Sequence, residues 1–281
     1  MAQSGSATVD AKCAGPLLSV QGLTKLFGGV AAVSQVSFDL APGKLTGLIG
    51  PNGSGKSTTI NLMSGLHRPT RGAIYYRGEN ISNLPPHRIA RLGIVRTFQL
   101  LRLFGDLSAF ENVLVGAHLR GKNGFAAACL GPLKPRTEEQ QLHQIARDAL
   151  EFVGLGGRGE IKARLLTSGE GRLLELARAI AADPELILLD EPAAGLNTAE
   201  TTLLAEKLLS LVDRGKTLLL VDHHMSLVMS VASSVIVLAG GQVLTIGTPQ
   251  EVQADPRVVE SYLGSGEVYR RRRAKRGVSE L

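Results

Sequence analysis

Short, almost wholly apolar runs recur along the chain, separated by polar and glycine-bearing segments. They stand at 17–20, 36–40, 45–49, 186–189, 217–221 and 234–238. Runs of this length without polar alternation match strands covered on both faces. Helical spacing of apolar residues fills 56–65, 169–182, 199–213 and 225–232, and 73–76 and 93–97 are further strand candidates. The alternation of strand and helix after residue 168 predicts a mainly parallel sheet covered by helices. Between about 100 and 166 the texture changes: 109–119 and 138–153 read as helices around a Gly- and Pro-containing stretch at 121–135. This middle part reads as a helical subdomain inserted into an α/β domain. No solenoid-type repeat is present.

Composition narrows the class. A chain of 281 residues exceeds the usual ~100–200 of a single domain, which suits one large α/β domain with an inserted lobe. Apolar residues make up 44% and charged residues 20%, ordinary for a soluble globular protein. No tryptophan is present, which argues against a base-stacking platform for single-stranded nucleic acid. No stretch approaches the ~18–20 consecutive apolar residues of a membrane-spanning helix. Residues 1–16 read as a flexible leader without the charged and apolar regions of a secretion signal. Cys13 lacks the apolar leader a lipid-attachment site needs, and with Cys129 as the only other cysteine, a reducing cytoplasm is expected.

The net charge of +6 is concentrated at one end. Residues 264–281 carry Arg270, Arg271, Arg272, Arg273, Lys275 and Arg276 against Glu267 and Glu280, a net of +4, so the rest of the chain holds about +2. Basicity therefore belongs to a tail and not to a nucleic-acid-binding face of the fold. Contact with anionic lipid, RNA or a partner, and a solvated charge run, all stay open for this tail.

The third apolar run ends in Gly50-Pro51-Asn52-Gly53-Ser54-Gly55-Lys56-Ser57-Thr58. This matches G-x-x-x-x-G-K-[ST] between a predicted strand and a predicted helix, as a phosphate-binding loop requires. Glycines let the backbone curl so that successive N–H groups point inward at phosphate oxygens, and the helix adds its positive end. Lys56 suits the β- and γ-phosphates, and the Ser57 hydroxyl suits Mg²⁺. The run at 186–189 ends in Asp190-Glu191, and buried strands seldom close on paired acids without a cation or a reaction to use them. Asp190 suits a metal ligand acting through water, and Glu191, on the other side of the backbone, suits a base that orients water. His223 after the run at 217–221, and Gln99 after 93–97, are ambiguous by themselves.

Taken in order, these segments resemble the ABC ATPase family from about residue 17 to 263: the phosphate loop, Gln99, Leu166-Thr167-Ser168-Gly169-Glu170, Asp190-Glu191, Gly195-Leu196-Asn197 and His223. The resemblance implies a RecA-like P-loop core with an N-terminal antiparallel β part, and an ATPase domain over 17–264 with its helical insert at about 100–168 and a tail at 265–281. It further implies a head-to-tail dimer. Each ATP lies between one chain's phosphate loop (Gly50, Asn52, Gly53, Ser54, Gly55, Lys56, Ser57, Thr58) and the other's Thr167, Ser168 and Gly169. Thr167 offers a hydroxyl there, and the helix start offers free N–H groups. Phe27 stands where the family stacks an aromatic on adenine. Gln99 stands where it touches Mg²⁺, beside Ser57 and Asp190, and His223 where it holds the γ-phosphate and water. Glu191, His223 and Gln99 are thus the implied catalytic set, with ATP and Mg²⁺ as cofactors.

Within the family, Arg96-Thr97-Phe98-Gln99 and Ala193-Ala194-Gly195-Leu196-Asn197 are most similar to the ATPase of branched-chain amino-acid importers. That likeness implies a cytoplasmic subunit, peripheral on the inner face of the cell membrane. Its partners are a second ATPase subunit (a homologous chain or a second copy), two membrane permeases and, indirectly, a solute-binding protein, with no nucleic acid. The solute is a branched-chain amino acid or a related small organic solute. A soluble ABC-type ATPase acting on nucleic acid or ribosomes is the alternative, and a nucleotide-binding regulator that never hydrolyses is a third. Ser168, Glu170, Gly171-Arg172-Leu173, Thr198 and His224 depart from the family pattern, and none of them removes a catalytic group. The apolar segment 100–110 is expected to help form a groove for a short helix of the permease.

Overall fold

The apolar runs become the strands of two sheets. The computed structural model describes residues 15–97, 103–118 and 136–262. β1 (Leu18–Phe27), β2 (Val30–Leu40), β4 (Arg71–Tyr76) and β5 (Glu79–Asn80) form an antiparallel sheet in the order β2-β1-β4-β5. The larger sheet has the order β10-β9-β3-β8-β7-β6, from β3 (Leu45–Ile49), β6 (Ile94–Arg96), β7 (Leu186–Asp190), β8 (Thr217–Val221), β9 (Ser234–Ala239) and β10 (Gln242–Gly247). All its pairings are parallel except β9 with β10.

Burial explains the apolar runs. β3, β7 and β8 are buried at every residue, and their side chains alternate between two cores. Ile187, Leu189, Leu218 and Leu220 face one core with the helices, while Leu186, Leu188, Leu219 and Val221 face a second core with the antiparallel sheet. A strand with both faces covered has nowhere to place a polar side chain except its ends. β1 and β2 behave differently. They extend well past the apolar runs at 17–20 and 36–40, and alternate buried with exposed positions, because the outer face of their sheet meets solvent.

The chain between β6 and β7 forms a helical layer of α3 (Ala109–Ala117), α4 (Arg136–Val153) and α5 (Ser168–Ala181). Val113 and Ala117, Ala146 and Leu150, and Leu174 and Ala177 meet in one core. α3 starts on a capping box in which Ser108 Oγ accepts the Glu111 N–H at 3.1 Å and Glu111 accepts the Ser108 N–H at 2.7 Å. Further α-helices are α1 (Lys56–Met63), α2 (Pro86–Arg91), α6 (Thr198–Asp213), α7 (Met225–Val231) and α8 (Pro249–Ala254). β5, α2, β10 and α8 lie beyond the sequence expectations. α8 carried a readable signal, since Thr248 caps it, Pro249 opens it and Glu251 closes the box.

Leu188 is fully buried in the second core. Leu188→Ala is expected to lower unfolding free energy by roughly 2–5 kcal/mol, read as a shifted urea midpoint. A midpoint equal to that of the unaltered chain would contradict two-sided burial of β7.

Candidate active site at the strand ends

β3, β8 and β7 end level with one another. Leu48 pairs with Val221, and Val221 pairs in turn with Asp190. The polar residues that follow each strand are therefore brought to one edge of the sheet, the carboxyl edge at which α/β sheets bind ligands.

After β3 the backbone turns sharply. Gly50 has φ 151°, and a Cβ there would overlap the Leu238 carbonyl oxygen of β9 and crowd Ser54. Gly55 has φ 102° and lies against the Ala32 carbonyl, so a Cβ would stand only 2.7 Å from it. The Gly53 side of the loop is open. Lys56 opens α1 but is buried, and its ammonium donates to the Gly50 carbonyl at 2.7 Å and the Pro51 carbonyl at 3.1 Å. Burial lowers its pKa from the usual lysine value, and the carboxylates of Glu191 and Asp190 oppose that shift. Lys56 thus sits within electrostatic reach of both acids, held on carbonyls that a phosphate can replace. Ser57, beside it, is exposed, and Thr59 Oγ1 ties the first helical turn back to the Gly55 carbonyl at 3.0 Å.

The two acids at the end of β7 face different partners. Asp190 is 3% exposed and accepts from Arg96 at 2.7 Å. The same guanidinium donates to Asn61 Oδ1 at 2.6 Å and Ser64 Oγ at 3.2 Å, bridging β6, β7 and α1. Glu191 is half-buried, has φ 49° and places its carboxylate 3.7 Å from His223 Nδ1. After β8, Asp222 is buried and accepts the Ala193 N–H at 3.2 Å, the His224 N–H at 2.8 Å and a contact from His224 Nδ1 at 2.8 Å. His223 is exposed beside it, its ring 4.2 Å from that of His224. Asp222, His223 and His224 are close enough together to share a metal ion, but the Asp222 carboxylate is already committed to orienting its own loop. The hydroxyl of Ser57 and the carboxylate of Asp190 are hard oxygen donors beside an open, glycine-lined cradle, and that donor chemistry fits Mg²⁺.

A second cluster lies at the start of α5. Thr167 caps the helix, its Oγ1 accepting the Glu170 N–H at 3.2 Å while Glu170 accepts the Thr167 N–H at 2.9 Å. The helix begins at Ser168, one residue earlier than the apolar spacing implied. Glu170 also pairs with Arg158 at 2.7 Å, so its carboxylate is used within the chain. The 195–200 segment packs against this start: a Cβ on Gly195 would stand 3.5 Å from Ser168 Oγ, and one on Gly169 would overlap the Glu200 carboxylate. Thr167 and Ser168 are exposed.

Comparison with known proteins decides the family. Residues 33–194 match the family described as "ABC transporter", and residues 242–268 match the one described as "Branched-chain amino acid ATP-binding cassette transporter". The chain belongs to the ABC transporter family. The cassette is 41% identical over 250 residues to the high-affinity branched-chain amino acid transport ATP-binding protein LivG of Escherichia coli (strain K12), covering 89% of this chain and 98% of LivG. It is 40% identical to the corresponding protein BraF of Pseudomonas aeruginosa, over 89% of this chain and 98% of BraF. Among solved structures, it is similar to an ATP-binding cassette of an ABC transporter in its ADP conformation, with a TM-score of 0.77 and 31% identity over 89% of this chain and 99% of that one. The cassette is an ATP-binding ATPase, and the matched relatives give the nucleic-acid and ribosome alternative no support.

The cassette brings the phosphate loop, Asp190, Glu191 and His223 together. Thr167, Ser168 and Gly169 stand on α5, and none is hydrogen-bonded to the phosphate loop among the described residues. Phe27 is exposed at the end of β1, edge-on to His67 with ring centroids 5.4 Å apart and Lys25 Nζ 5.1 Å from its centre. Gln99 lies outside the described residues. Arg96 and Asp222 were missed in the sequence. Asp222 had a signal, since it follows an apolar strand as Asp190 does. Arg96 had a weaker one, a charge within a short apolar run.

Hydrogen bonds from Thr167, chiefly its backbone N–H, and the charge of Arg158 hold the Glu170 carboxyl below the usual range. A depressed carboxyl contributes stability above its unfolded pKa and loses it as pH falls through the folded one. Glu170→Gln is therefore expected to narrow the gap in melting temperature between about pH 7 and about pH 3.5. An unchanged gap would show that the Thr167–Glu170 box carries no such linkage.

Proposed function

We propose that the cassette hydrolyses Mg-ATP to power import of branched-chain amino acids through separate permease subunits, at the inner face of the cell membrane. One observation carries the chemistry: the phosphate loop, Asp190, Glu191 and His223 stand together at the level ends of β3, β7 and β8. The match at 242–268 and the transport names of LivG and BraF support the solute. No helix among the described residues is long and apolar enough to cross a membrane, and in this reading the permeation path belongs to the permease subunits.

In this reading residues 17–264 form the ATPase domain, with the helical insert at about 100–168 and the basic tail at 265–281. Phe27 stacks on adenine. Gly50, Asn52, Gly53, Ser54, Gly55 and Thr58 curl around the phosphates, and Lys56 exchanges the Gly50 and Pro51 carbonyls for phosphate oxygens. Ser57, Asp190 and Gln99 would hold Mg²⁺, which supplies neutralisation of charge on the phosphates. Glu191 orients the attacking water, and His223 steadies that water and the γ-phosphate. Thr167, Ser168 and Gly169 face the nucleotide of a second cassette, a homologous chain or another copy. The exposure of Thr167 and Ser168 supports this placement, and the N–H groups of Ser168 and Gly169 lie outside the helix's own hydrogen bonds.

A groove of about 390 Å³ lined by Val95, Phe104, Val115, Ala179 and Ala182 supports docking of a permease helix. Phe104 is 51% exposed and Val115 42%, and Arg96, Glu175 and Arg178 share the groove wall. Two permease subunits and, indirectly, a solute-binding protein complete the assembly; nucleic acid has no place in it.

Glu191→Gln is expected to keep ATP binding and form an ATP-dependent dimer while turnover falls roughly 100-fold or more. Phosphate release near that of the unaltered chain would remove Glu191 from its role. Lys56→Ala is expected to weaken ATP binding by at least about tenfold, and equal nucleotide titrations would contradict the loop assignment. Deleting the cassette is expected to abolish high-affinity leucine uptake in its host; undiminished uptake would leave the ATPase reading but sink the solute.

A further inference from the structure

One buried acid at this edge has no part in phosphate chemistry. Asp222 directly follows β8 and is 1% exposed. A carboxylate taken out of water is costly unless its oxygens are hydrogen-bonded. Its ion-pair contacts among the described residues are with histidines, His223 Nδ1 at 3.8 Å and His224 Nδ1 at 2.8 Å.

The two carboxylate oxygens go to two different loops. Oδ2 accepts the Ala193 N–H at 3.2 Å, and Oδ1 accepts the His224 N–H at 2.8 Å. Ala193 lies two residues beyond Glu191, and His224 lies one beyond His223. The same two stretches are joined one step earlier, where the Glu191 N–H donates to the Val221 carbonyl at 2.7 Å. Between these two ties Glu191 keeps its left-handed backbone, φ 49°. A residue with a Cβ holds such a conformation only where its surroundings impose it. The ties at residues 191 and 193 impose it here.

We propose that Asp222 is a positioning residue for ATP hydrolysis. One carboxylate holds the loop of Glu191 by one oxygen and the loop of His223 by the other, and so sets the 3.7 Å approach of Glu191 to His223 Nδ1. This rests on the reading of Glu191 and His223 as the groups that handle the attacking water. Asp222 itself touches no substrate. The bridge needs two acceptors in one side chain, whereas asparagine supplies one acceptor and one donor group. In Asp222→Asn the amide must turn its N–H groups on a backbone N–H, that of Ala193 or that of His224, and one loop is let go.

Phosphate release by the full-length chain with Mg-ATP is expected to fall roughly 10–100-fold in Asp222→Asn. Affinity for a fluorescent ATP analogue should stay within about twofold, so the loss falls on kcat and not on binding. Amide hydrogen exchange should quicken at Ala193 or His224 while α1 keeps its protection. Asp222→Ser keeps one acceptor and brings no opposed N–H, and is expected to show the same split. His224→Asn removes the imidazole, leaves both backbone contacts, and should release phosphate as the unaltered chain does. Unchanged turnover in a folded Asp222 variant overturns the proposal. So does an equal loss of affinity and turnover, which would make Asp222 a support of the whole site. Slowed turnover without faster exchange assigns the effect to charge, and an equal loss in His224→Asn assigns it to the imidazole; either result overturns the bridge. Normal turnover in Glu191→Gln would instead sink the reading of Glu191 beneath it.

Discussion

Two-sided burial of three short parallel strands constrains everything else in the molecule. β3, β7 and β8 have no exposed residue, so functional groups are confined to the loops at their ends. The pairing of Leu48, Val221 and Asp190 then makes those ends coincide. A one-residue slip of β7 would exchange its two faces and move Asp190 along the edge. The chemistry of the site is therefore tied to the packing of the cores, because Leu186 and Leu188 must face one core while Ile187 and Leu189 face the other.

The charges at this edge are prearranged rather than free. Asp190 is balanced by Arg96, and Lys56 rests on two carbonyls within the field of both acids. Breaking a buried pair of this kind leaves an uncompensated charge, which costs about 3–5 kcal/mol. Arg96 also lines the apolar groove and reaches Asn61 on α1. One guanidinium thus joins the helix of the phosphate loop, the buried carboxylate of Asp190 and the wall of the groove.

Local patterns in the chain were legible; long-range pairings were not. The phosphate loop is contiguous, and its glycines, lysine and hydroxyl declare their purpose by spacing. Asp190-Glu191 could be read because an apolar strand made the acids conspicuous. Asp222 ends a strand in the same way, but its role depends on accepting the Ala193 N–H, 29 residues away in sequence. Arg96 meets Asp190 across 94 positions, and no spacing rule announces such a contact. The first two strands run past their apolar stretches because they alternate buried and exposed positions, as in a sheet with one wet face, so continuous apolarity marks only part of each. The capping boxes at Thr167–Glu170 and Thr248–Glu251 follow a four-residue pattern the sequence displays openly. The first of them explains why glutamate stands at 170: it closes a helix cap and meets Arg158.

Glu191 adopts a left-handed backbone, φ 49°, which costs a residue with a Cβ about 1 kcal/mol or more and glycine almost nothing. Random drift toward a sturdier fold would therefore favour glycine at a position whose carboxylate lies 3.7 Å from His223 Nδ1. In the proposed reading, a cassette selected only for heat resistance would shed that acid early and survive as a stable nucleotide clamp that no longer turns over. The strained backbone marks where endurance and work pull this protein in opposite directions.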